Sequence, residues 1–101
     1  MKKPELCENI NEIRFHIDAI DKHIIELIGE RAQYVKVASK FKVNEATVKA
    51  PERFKAMLLQ RRSWAVEEGL NPDVMEKMYT DLVNYFINEE LNDWKIKNGN
   101  E

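Results

Sequence analysis

Five ionisable side chains stand out in this sequence because of where they fall against its apolar spacing. Arg31 sits in a heptad register that otherwise carries Ile10, Ile17, Ile24 and Ala38. Glu90 lies four residues after Phe86 and four before Trp94, on the apolar stripe of the last amphipathic segment. A buried charge costs on the order of several kcal/mol unless a counterion or ligand meets it. Arg14 flanks the same seam, Lys42 ends the first helical segment, and Arg53 falls in the first turn of the next. Each of these three reads alone as a surface charge, and Lys42 also as a cation favoured by a helix C-terminal dipole. Where they converge, the basic residues would suit a small anionic molecule, because guanidinium groups grip carboxylates through paired hydrogen bonds. The plain alternative for Arg31 is a snorkelling side chain or a structural salt bridge to Glu90.

Other chemistries find little support. No phosphate-cradling glycine loop, paired-cysteine metal motif or nucleophile elbow occurs. His16 and His23 are seven residues apart, without the i, i+4 spacing of a helical histidine pair, so surface residues and no metal are expected.

Three helices must position the five charges. The heptad runs from about Asn9 to Phe41, its second register holding Ile13, Ile20, Leu27, Tyr34 and Phe41. A helix of that length reaches about 50 Å, whereas a compact chain of this size spans roughly 35 Å. The seam therefore overshoots any globule one chain can build, and a second copy is the expected cover: an intertwined homodimer. Gly29, costly inside a helix, is expected to permit a close packing approach.

The second helix is expected over 51–68, opened by Pro51 and closed by Gly69, with Phe54, Met57, Leu58, Trp64 and Ala65 on one side. The third is expected over 72–95, with Asn71, Pro72 and Asp73 as N-cap, N1 and N2. Its stripe runs through Met75, Met78, Tyr79, Leu82, Val83, Phe86, Ile87, Leu91 and Trp94. Residues 43–50 lack periodicity and read as a loop, and the polar tail 95–101 as a frayed end. Tyr34, Phe41, Trp64, Phe86 and Trp94 are core by default. No strand signal appears, so the fold class is all-α.

Composition narrows the function classes. A chain of 101 residues is too short for two cores, so 1–101 is expected to be one domain. At 44% apolar and 34% charged it is neither disordered by composition nor membrane-spanning, and no apolar run suits a signal peptide. A net charge of −2 argues against nucleic acid or an anionic membrane as partner. A lone Cys7 excludes an internal disulfide and fits a reducing, cytoplasmic setting.

The run Ile13-Arg14, Ile17-Asp18, Ile20-Asp21, Leu27, Glu30-Arg31 and Phe41-Lys42 resembles the first helix of the all-α chorismate mutases. Ala50-Pro51-Glu52-Arg53-Phe54, Met57-Leu58, Arg61, Trp64-Ala65 and Gly69-Leu70 resemble their isochorismate pyruvate-lyase branch, which makes salicylate for siderophores. The resemblance covers about residues 4–95. It implies two equivalent sites per dimer, with Arg14 supplied by the partner chain and Arg31, Lys42, Arg53 and residue 90 by the chain housing the site. The arginines would bind the substrate's carboxylates, Lys42 and residue 90 would donate hydrogen bonds to its ether oxygen, and the helix 1–2 loop would fold over the ligand. It implies a cofactor-free pericyclic reaction of isochorismate to salicylate and pyruvate, with weak chorismate mutase activity alongside. The alternatives are a chorismate mutase forming prephenate and a non-catalytic helical dimer or binding module.

Two positions depart from the mutase pattern. Phe54 follows Arg53 where mutases of this type usually carry Glu, which favours the lyase branch; ordinary helix packing is the other reading of Phe54. Glu90 stands where the lyase branch has Gln. An amide donates a hydrogen bond, whereas a carboxyl group does so only when protonated. Activity that declines as pH rises is therefore expected, with a flatter and higher profile in Glu90→Gln.

Overall fold

The computed structural model describes residues 2–42 and 44–97, with Lys97 described in its backbone only. Among the described residues there is no strand, and the chain is all-α as expected. It divides into two compact units, Met1–Tyr34 and Val35–Glu101, with the boundary inside the first long helix.

In the first unit, a 3₁₀ turn over Pro4–Leu6 leads into α1, Ile10–Ala38. Asn9 is its N-cap: Oδ1 accepts the Glu12 N–H at 2.9 Å, while the Glu12 carboxylate reaches back to the Glu8 N–H at 3.0 Å. Those side chains satisfy donors that the first helical turn leaves orphaned. Not one residue of α1 is buried in the single chain. Ile10, Ile17, Ile20, Ile24 and Leu27 are all about half exposed or more. Among the described residues nothing stands within 4 Å of a Cβ built at Gly29, so the expected close approach is not seen there.

In the second unit, α1 passes into a 3₁₀ turn, Ser39–Phe41. A short helix α2, Glu45–Lys49, then occupies the segment expected to be a loop; Val43 lies outside the described residues. Asn44 makes α2 possible, its Oδ1 accepting both the Thr47 N–H and the Thr47 hydroxyl at 2.8 Å. Val48, 2% exposed, fastens α2, which packs on α4. Ala50 ends α2 in the left-handed region, at φ 40° and ψ 62°. Pro51, which disfavours helical geometry in its predecessor, then opens α3, Pro51–Glu67.

The stop after α3 follows the expected glycine cap. Leu70 N–H bonds the Ala65 carbonyl at 2.8 Å and Gly69 N–H the Val66 carbonyl at 3.1 Å, with Gly69 at φ 74°. Asn71 then caps α4, Pro72–Lys97, accepting from Asp73 N–H at 2.8 Å and Val74 N–H at 3.3 Å. The helix continues through Lys95–Lys97, where a frayed tail was expected; 98–101 lie outside the described residues.

α3 and α4 pack as a pair around Met57 and Ala65. The Arg61 guanidinium lies over the Trp64 ring at 4.8 Å and near the Tyr79 ring at 5.6 Å, linking the two helices through cation–π contacts. Arg62 adds a fork, donating to Asp73 and Glu76 at 2.8 Å each. Three of the aromatic residues expected in the core are instead exposed in the single chain: Tyr34, Phe41 and Trp64. Phe86 and Trp94 are half-buried on α4. A periodic apolar pattern marks a face that seeks cover without saying which chain supplies it, and that is the physical source of the mismatch.

Candidate active site

In the second unit the structure brings together two of the five charged residues. Lys42 caps the turn Ser39–Phe41, its N–H donating to the Ser39 carbonyl at 3.2 Å. The backbone there leaves helical geometry for φ −101° and ψ 123°. Its side chain meets α4, where Nζ donates to Glu90 Oε2 at 2.8 Å. Both partners are shielded, with side-chain exposures of 22% for Lys42 and 7% for Glu90. Among the described residues Glu90 is the charged residue that is buried, as its position on the apolar stripe demands.

Burial makes this pair matter. Removing two charges from water costs several kcal/mol per ion, offset only where geometry and further hydrogen bonds are good. The Lys42 ammonium carries three donors and, among the described residues, spends one on Glu90 Oε2. Beside Glu90, a small cavity of about 20 Å³ is lined by Ser39, Val48, Asp93 and Trp94. α2 is therefore one wall of the Glu90 surroundings, through Val48. A loop reading of 43–50 missed that wall. The signal present in the sequence was Asn44 three residues before Thr47, an N-cap spacing.

Arg53 stands exposed in the first turn of α3. Its neighbour Phe54 lines an open, mostly apolar groove of about 460 Å³ between α3 and α4, with Pro51, Leu58, Ile87 and Leu91 among the walls. Arg14 and Arg31 belong to the first unit, on α1, the former exposed and the latter half-buried. Within the second unit the arrangement supplies a shielded ammonium–carboxyl pair, chemistry suited to polarising an oxygen atom of a ligand. Among the described residues no helix is long and apolar enough to cross a membrane.

Residues 13–91 match chorismate mutase type II, and the chain belongs to that family. Among its relatives is the isochorismate pyruvate lyase of Pseudomonas aeruginosa, 41% identical over 99 residues that cover 98% of each chain. The chain is also similar to the T-protein of Haemophilus influenzae, 32% identical over 83 residues, which are 81% of this chain and 21% of that protein.

Proposed function

We propose that this chain is an isochorismate pyruvate-lyase acting in the cytoplasm as an intertwined homodimer with two shared sites. The observation that carries the activity is the 41% identity to a lyase of that name across 98% of both chains. Residues 1–101 then act as one helical domain completed by a second copy. The unburied seam of α1 supports that assembly, since an apolar stripe of this length is rarely left to water.

Each site would take Arg31, Lys42, Arg53 and Glu90 from one chain and Arg14 from its partner. The three guanidinium groups bind the two substrate carboxylates and hold the enolpyruvyl arm over the ring, which removes most of the entropic cost of reaching the reactive geometry. The ether C–O bond breaks while a ring hydrogen passes to the enolpyruvyl methylene, giving salicylate and pyruvate. Electrons move within the substrate, so no cofactor enters this reading. Negative charge grows on the ether oxygen, and a free Lys42 N–H donates to it. Glu90 accepts from Lys42 on Oε2 and so holds the ammonium beside that oxygen; a hydrogen bond from Oε1 itself would require the acid form.

A second reading, chorismate mutase, is favoured by the family's description. Incubating the purified protein with isochorismate and, separately, with chorismate distinguishes them. Salicylate and pyruvate in equal amounts are expected from isochorismate; prephenate alone would establish the mutase, and neither product would leave a non-catalytic helical dimer.

A further inference from the structure

At the entrance to α1, outside every residue assigned above, three side chains of different ligand type converge. Cys7 Sγ, a Glu12 carboxylate oxygen and a His16 ring nitrogen all lie within 4.8 Å of one another, and all three residues are half-buried. We propose that Cys7, Glu12 and His16 form a three-ligand site for a borderline-soft divalent cation of the zinc class.

Local structure explains the convergence. Glu12 and His16 are four residues apart on α1, so they share a face one turn apart. The 3₁₀ turn Pro4–Leu6 places Cys7 beside them, closed by the Leu6 N–H to Lys3 carbonyl bond at 3.0 Å and Cys7 N–H to Pro4 carbonyl at 3.1 Å. Glu12 is aimed before any ion arrives, because the Glu8 N–H holds Oε2 at 3.0 Å. His16 is steadied by edge-on contact with the Phe15 ring, at 5.4 Å between centroids. The histidine pattern had pointed to a plain surface residue at His16. That spacing says nothing of the other two members of the cluster, a carboxylate one turn back and a thiol on the preceding turn.

The ligand chemistry selects the ion. One sulfur, one imidazole nitrogen and one carboxylate oxygen suit zinc, whereas magnesium and calcium take oxygen sets. Zinc bonds of about 2.0–2.3 Å separate tetrahedral ligand atoms by roughly 3.3–3.7 Å, so side-chain movements of about 1 Å close the site. Binding releases the thiol proton to solvent as the thiolate takes the metal. The fourth position stays open for water. Lys2 is the competitor in the chain itself, since its ammonium donates to Glu12 Oε1. A cation entering the site displaces it.

The test is titration of tag-free full-length protein with cobalt(II) and zinc, followed by calorimetry and by the near-ultraviolet thiolate-to-cobalt absorption. One equivalent per chain is expected, with the cobalt band present. Cys7→Ser should abolish the band, and Glu12→Gln and His16→Gln should each weaken zinc at least about tenfold. Lys2→Ala should tighten it, an effect that no loss of folding could mimic. Far-ultraviolet circular dichroism checks that each variant keeps its helices. Absence of the cobalt band, half an equivalent per chain from two thiols sharing one ion, or affinity unchanged in His16→Gln would overturn the proposal.

Discussion

At the residue scale the proposed reading rests on Lys42 and Glu90, and their hydrogen bond decides how substitutions read out. Lys42→Ala would remove the proposed donor to the ether oxygen and leave Glu90 buried without its 2.8 Å partner. Turnover should fall about 10²–10³-fold. Stability should fall as well, because an uncompensated buried charge is costly. Adding Glu90→Gln to Lys42→Ala should restore much of the melting temperature and none of the turnover; recovery of turnover would remove Lys42 from the reaction. In Glu90→Gln alone the amide offers both an acceptor for Lys42 and a donor for the ether oxygen at every pH. Under the proposed reading the variant should therefore form salicylate at least as fast as the wild type. A folded but inactive Gln variant would contradict the assignment. The sequence exposed Glu90 as a problem, through its place between Phe86 and Trp94, but not its partner. Lys42 lies 48 residues away, and helical spacing carries no information about that contact.

Among the elements, α1, α3 and α4 were legible because each has a periodic apolar face and stop signals of its own. Asn71-Pro72 and Gly69 cap as expected. The helix α2 was not legible from periodicity, since five residues make little more than one turn. It persists through the Asn44 cap and the burial of Val48. Ala50 is where this segment carries strain, with an L-residue at φ 40°. Ala50→Gly relieves that clash and should raise stability by up to about 1 kcal/mol after the added unfolded-state entropy. A lowered urea midpoint would show that Ala50 contributes packing instead.

Glu12 shows how the α1 entrance responds to acid. The Glu8 backbone N–H, followed by the Lys2 ammonium, holds its carboxyl below the usual carboxylate range. A group whose pKa is lower folded than unfolded adds stability at neutral pH and loses it as pH falls through that range. Glu12→Gln should thus lower the melting temperature slightly at pH 7 and not at all in strong acid. An equal deficit at both would assign the effect to packing.

For the whole molecule, the exposed seam is the dominant fact. Ile10, Ile17, Ile20, Ile24 and Leu27 repeat along α1 without burial, and Tyr34 and Phe41 continue the exposure. The sequence announced this exposed seam through a heptad too long for one chain, and the proposed second copy is what would cover it. Arg14 and Arg31 sit on that same helix, so the proposed reading ties substrate binding to assembly. Mixing Arg14→Ala with Arg31→Ala chains tests this most directly. If Arg14 serves the partner's site, each variant is nearly inactive alone. Random exchange then makes half the dimers mixed, each with one intact site, so salicylate formation should return to about a quarter of wild type. With subunit exchange verified, a mixture no more active than its components would contradict the shared site.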